Sequence, residues 1–126
     1  MKSLTREWVD KADGDLATAQ RELRARKAPN YDAACFHAQQ CAEKYLKAFL
    51  QEHDVVFGKT HNLSMLLDKV IPVVPMLDTL RQTLQVITVF AVDCRYPGET
   101  ADKTMAAEAL KLCIEVRGRF RELLGE

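Results

Sequence analysis

Glycine and proline are scarce in this sequence, five and four among 126 residues, which argues against a turn-rich β architecture. No apolar run approaches the roughly 18 residues that a membrane-spanning helix needs. The N-terminal stretch MKSLTREWVDKADGDL has no apolar segment of the secretory-signal kind. Neither sign of charge is in excess, with 18 basic and 18 acidic residues, so no overall field draws the chain onto a polyanion. Any nucleic-acid contact must come from a local patch, or from one built by oligomerisation. The four cysteines (Cys35, Cys41, Cys94, Cys113) show neither CxxC nor Cys/His zinc spacing. Their even number permits disulfides, but three occupy apolar helical positions where a free thiol behaves as a small hydrophobe. The phosphate-binding patterns GxGxxG and Gly-Lys-Ser/Thr are missing, as are HExxH and GxSxG. These absences lead us to expect a cytoplasmic protein with no membrane segment, no metal site and no cofactor.

What is present is an ordinary globular balance, 48% hydrophobic and 29% charged residues, over a length that fits a single domain spanning residues 1–126. Apolar residues recur at helical spacing in five segments. The first runs from about Ser3 to Arg26, with Leu4, Trp8, Ala12, Leu16, Ala19 and Leu23 as its stripe, Ser3 as cap and Arg21, Arg24, Arg26 and Lys27 near its C-terminal end. The second runs from about Asn30 to His53, capped by Asn30. A short third helix is capped by Asn62 or Thr60 and carries Leu63, Leu66, Leu67 and Val70. Pro72 and Pro75 punctuate the turn after it. A fourth helix over about Met76–Asp93 carries Leu77, Leu80, Leu84, Ile87 and Ala91. Val86, Val89 and Phe90 widen that arc, which predicts burial on two sides near its end. A fifth begins near Thr100 and carries Ala106, Leu110, Cys113, Val116, Phe120 and Leu123. The expected fold is an all-α, up-down bundle of four or five helices.

The second helix has a stripe of Tyr31, Cys35, Ala38, Ala42, Tyr45 and Phe49 that is small in its middle. Opposite lie Gln39, Gln40, Glu43, Lys44 and Lys47, interrupted by Phe36 and Leu50. Periodicity alone reads those polar residues as a solvated face. Glu43 and Lys47 add a favourable i, i+4 pair worth a few tenths of a kcal/mol.

The run Phe36-His37-Ala38-Gln39-Gln40-Cys41-Ala42-Glu43-Lys44-Tyr45-Leu46-Lys47-Ala48 resembles the F-x-x-Q-Q-A-x-E-K-x-L-K-A signature of the HEPN domain. Thr60-His61-Asn62-Leu63 is similar to that family's T-H-x-L, and Arg95-Tyr96-Pro97 to the R-Y-P that follows the fourth helix in one branch. The three occur in order across nearly the whole chain. The resemblance implies a HEPN-like bundle that usually dimerises, associates with nucleotides or RNA, and often pairs with a minimal nucleotidyltransferase as a toxin–antitoxin couple. Carried over residue by residue, it marks Lys44, Lys47, His61, Arg95 and Tyr96 as ligand-binding positions.

Each of these has a plainer alternative. Lys44 and Lys47 sit equally well on a solvated face, His61 as a loop anchor at a helix start, Arg95 on the last carbonyls of the fourth helix, and Tyr96 as a packed ring. Arg117, Arg119 and Arg121 could form a weak basic strip, but Glu115 and Glu122 dilute it and a solvated face is the plainer reading.

RNA-cleaving members of the family resemble one another in an Arg followed after four to six residues by a His. Here the nearest upstream arginine is Arg26, eleven positions before His37, and no histidine follows Arg95. That chemistry needs a guanidinium and an imidazole facing one cleft. The expectation is therefore a non-catalytic, homodimeric binding partner of a nucleotidyltransferase. The alternatives are an RNase toxin with a rearranged site using Arg95 and His61, and a purely structural dimerisation module.

Overall fold

A computed structural model describes residues 1–94 and 96–126. The described residues form five α-helices, α1 (Ser3–Arg24), α2 (Tyr31–Glu52), α3 (Leu63–Val70), α4 (Arg81–Asp93) and α5 (Lys103–Leu123), with a 3-10 turn over Pro75–Leu80. The all-α bundle expected from periodicity is the architecture found. Helix α2 is its axis and packs against α1, α3, α4 and α5. Helix α1 runs antiparallel to it, since Thr5 meets Glu52 while Asp13 meets Tyr45 and Asp15 meets Lys44.

Caps explain the starts. Asn30 accepts from the Ala33 amide (2.9 Å), Asn62 from Met65 (3.0 Å) and Asp102 from Met105 (2.8 Å), each satisfying an orphan N–H. Asp102 is thus the cap of α5, which begins at Lys103 rather than near Thr100. Helix α1 has no side-chain cap, and Ser3 lies inside it. Its end falls at Arg24, two residues short of expectation, and Ala28 in the loop beyond takes a positive φ of 48°.

Three packing expectations change. On α1 the buried set is Thr5, Val9, Ala12, Leu16 and Ala19, while Leu4 stands exposed. Thr5 takes the inward place because its hydroxyl donates to Glu52 (2.9 Å), which also accepts from the Lys2 amide (3.0 Å). The fourth segment is broken: Pro75 opens a 3-10 turn, and the α-helix starts only at Arg81, whose side chain ties Asp68 (2.6 Å) and Asp78 (3.1 Å) together. Finally, the ends of α4 and α5 are more open than expected: Val89 is 51% exposed, so the end of α4 is covered on one side only, and Leu123 of α5 is 40% exposed. Ala91 and Ile87 carry the buried face of α4.

The core is continuous. Ala34, Cys35, Ala38, Ala42, Tyr45, Leu46, Phe49 and Leu50 of α2 join Leu66, Leu67, Leu84, Ile87, Cys113, Val116 and Phe120. Phe49 and Phe120 meet edge to face with ring centroids 5.7 Å apart. All four cysteines are free thiols.

Candidate functional site: the polar face of helix α2

The polar residues of α2 do not form a solvated face. Of the five residues expected on that face, Gln39, Glu43 and Lys47 are buried, and Gln40 and Lys44 keep partial exposure. Burying charged groups is costly unless they are paired, and these are. Lys47 donates from Nζ to Glu43 Oε2 at 3.1 Å. Its ammonium also lies 5.5 Å from the Trp8 ring centre and 5.9 Å from that of Phe57, within cation–π range. Trp8 and Phe57 themselves pack edge to face (5.9 Å), so α1 and the loop after α2 close over the lysine. Periodicity within α2 carries no information about that cover.

Glu43 gathers further donors. His61 Nδ1 lies 3.0 and 3.1 Å from its two oxygens, and Gln39 Nε2 reaches Oε1 at 3.5 Å. Gln39 also donates to the His61 carbonyl (3.3 Å) and accepts from Gln40 (2.8 Å). The loop before α3 is thereby fastened to the middle of α2 at both the backbone and the ring of His61. His61 is a loop anchor, yet its side chain stays 74% exposed.

A second cluster faces α1. Asp15 bonds His37 Nδ1 (2.8 Å) through one oxygen and Lys44 Nζ (2.6 Å) through the other. A third involves Asp13, which accepts from the Tyr45 hydroxyl and from Arg117 Nε (2.9 Å), with Arg121 at 3.8 Å. Burial, and then the bond to Asp13, push the Tyr45 phenol up to about 12. Arg117 and Arg121 are therefore drawn to a carboxylate and do not form a free basic strip with Arg119.

Near the loop after α4, Cys35 meets Cys94, and Asp32 accepts from the Ala101 amide (2.7 Å), pinning the chain just ahead of α5. Burial, together with the neighbouring Cys94 and Asp32, drives the Cys35 thiol up to about 12, so it is not a ready nucleophile. Tyr96 is 63% exposed on this loop. Arg95 lies outside the described residues.

Of the expected ligand-binding positions, the structure joins Lys47 and His61 through Glu43. It holds Lys44 on the α1 side with Asp15 and leaves Tyr96 projecting from a separate loop. Sequence reasoning missed Asp13, Asp15 and Trp8 as partners. Two aspartates directly inside the apolar stripe of the first helix, between Ala12 and Leu16, are the signal that points to inward-facing carboxylates. Among the described residues, no cluster of three or more His, Cys, Asp or Glu side chains is placed to hold a metal ion. None of their helices is long and apolar enough to cross a membrane.

The described residues thus form a five-helix bundle whose axial helix buries a Gln-Glu-Lys network tied to a Thr-His loop. The HEPN domain family profile matches residues 5–123, and the chain belongs to that family. It is similar to the crystal structure of an archaeal HEPN homologue, with 28% sequence identity, a TM-score of 0.65, and coverage of 95% of this chain and 99% of that one. No curated protein matches the sequence.

Proposed function

We propose that this HEPN domain is a binding and regulatory module, the partner of a minimal nucleotidyltransferase in a toxin–antitoxin-type pair, which contacts nucleotide or RNA and works as a homodimer in the cytoplasm. The observation that carries the non-catalytic side of this reading is the state of the basic side chains on α2 and of His61 in the loop before α3. Lys44, Lys47, His37 and His61 are each held by a carboxylate of the fold, and no Arg precedes a His at the RNase spacing. A cleavage site needs an imidazole and a cation converging on one phosphate. On this reading His61 and Tyr96 offer exposed contacts from two separate loops, Lys44 lies with Asp15 on the α1 side, and Lys47 stands behind His61 through Glu43. Arg95, the remaining member of the ligand-binding set, adds the cation of the loop.

The reading predicts that the neighbouring reading frame encodes a minimal nucleotidyltransferase, and the test is co-expression of the two followed by size-exclusion chromatography with light scattering. A stable mixed complex is expected. Separate elution at micromolar concentration removes the partnership, and a mass near 14 kDa for the chain alone removes the homodimer. The second reading, an RNase built on His61 and Arg95, draws on the exposed ring of His61 backed by a buried carboxylate. It requires growth arrest on expression of the chain alone, relieved by Arg95→Ala.

A further inference from the structure

Leu4 and Trp8 belong by spacing to the apolar stripe of α1, yet Leu4 is 54% exposed and Trp8 only half-buried. With Lys11 they follow the spacing i, i+4, i+7, which lines them along one side of the helix. The C-terminal end of α2 lies beside them. Leu4, Glu7, Trp8, Lys11 and Gln51 line a hollow of about 320 Å³, at the lower end of the range of small-ligand sites. Its aromatic wall is held in place from the buried side. The Lys47 ammonium lies 5.5 Å from the Trp8 ring centre, and the Phe57 ring meets Trp8 edge to face.

The polar groups of the hollow are of both kinds. Glu7 offers acceptors, Lys11 donors and the Gln51 amide both. None of these three side chains is engaged by another side chain among the described residues. Glu7 and Lys11 cancel, so the hollow favours neither an anion nor a cation. An apolar side chain seated there would cover the indole but strip water from the polar groups without replacing their bonds. A flat heterocycle meets both needs, with faces that stack on an aromatic ring and an edge that carries donors and acceptors.

We propose that this hollow is a base subsite: the purine of a bound nucleotide lies against Trp8, and its edge bonds the Gln51 amide. A purine offers a larger stacking face than a pyrimidine. The ligand class rests on the nucleotide-binding reading above, while the walls are separate from His61, Tyr96 and Lys44, the contacts that reading uses. Lys47 joins the two places, since its ammonium backs the Trp8 ring and pairs with Glu43, which holds His61.

Trp8 is the sole tryptophan, so its fluorescence reports this hollow alone. Excited at the red edge of its absorption, where nucleotides are transparent, it is expected to be quenched saturably by adenosine, guanosine and their monophosphates. Ribose phosphate, which has no base, should leave it unchanged. Quenching that only rises linearly, as for N-acetyltryptophanamide in solution, overturns the subsite, and so does equal quenching by ribose phosphate. Gln51→Ala keeps the indole and is expected to weaken purine binding about 2- to 10-fold, the loss of one hydrogen bond. Unchanged affinity in that variant overturns the edge contact. His61→Ala should bind adenosine and guanosine as wild type does, and a matching loss there overturns a subsite separate from His61. Shielding of Trp8 from acrylamide by a protein partner, with no response to purines, assigns the hollow to protein docking and overturns the proposal. Calorimetric binding of the monophosphates with an unperturbed indole removes this subsite yet keeps the nucleotide reading, so the two failures are told apart.

Discussion

Replacing Glu43 with alanine tests the burial of the α2 network most directly. The Lys47 side chain is 5% exposed, and without Glu43 its ammonium keeps the Trp8 and Phe57 rings as neighbours but loses its carboxylate. Breaking a buried pair by removing one partner costs about 3–5 kcal/mol, because the surviving charge stays desolvated. The two ring contacts, worth about 0.5–2 kcal/mol in total, are already present in wild type and so offset none of this. Small domains have about 5–15 kcal/mol of stability, so the variant retains a fold with little margin. At this chain length the loss corresponds to a drop in Tm of about 10–25 °C. Urea denaturation followed by circular dichroism gives the free energy, and an unchanged slope shows that only stability has moved. The control is Glu43→Leu with Lys47→Met, which exchanges the pair for apolar side chains and should return to within about 1 kcal/mol of wild type, or above it. A cost below about 1 kcal/mol for Glu43→Ala would refute the confinement of Lys47 described here. A double variant as unstable as the single one would show that shape, rather than charge, is what the site needs.

Three further outcomes follow from the other clusters. Tyr45 ionises at about 12 in the fold against 10.0 for the free group, so its contribution is complete below pH 10 and is lost as pH rises through about 12. The stability advantage of wild type over Tyr45→Phe should therefore shrink by roughly 2–3 kcal/mol across that window, read by urea denaturation at each pH; a constant difference would mean that burial and the Asp13 bond do not raise the phenol. Cys35, buried and raised to about 12, should resist iodoacetamide at pH 8 in the folded protein and react on unfolding, with mass spectrometry locating the label. Rapid labelling of the native protein at Cys35 contradicts its burial. Asp32→Ala removes the acceptor of the Ala101 amide, so amide hydrogen exchange should quicken at Ala101, at an overall cost of about 1–2 kcal/mol; unchanged protection there would mean that the start of α5 is anchored elsewhere.

The helices, their order and the all-α class were legible because apolar residues recur at helical spacing and the turn residues Pro29, Gly58, Pro72, Pro75, Pro97 and Gly98 fall between the stripes. Family membership was legible too, in Phe36–Ala48, Thr60–Leu63 and Arg95–Pro97. The caps Asn30 and Asn62 were readable because capping is a local bond spanning three residues.

Which polar residues go inside was decided by neighbours distant in the chain. Lys47 is buried by Trp8 and Phe57, Glu43 is completed by His61, and Asp13 of α1 captures Tyr45 of α2 and Arg117 of α5 across 104 positions. Likewise Thr5, rather than Leu4, faces inward because Glu52 waits at the far end of α2. A helical period reports which side chains share a face. It carries no information about whether a second helix or a loop will close over that face, and the desolvation and pairing energies that settle the matter exist only once the helices meet. By itself, then, the sequence determined a HEPN helical bundle and marked α2 as its informative segment. The tertiary structure turned the polar side of that helix from a solvated surface into a buried charge network with one exposed imidazole.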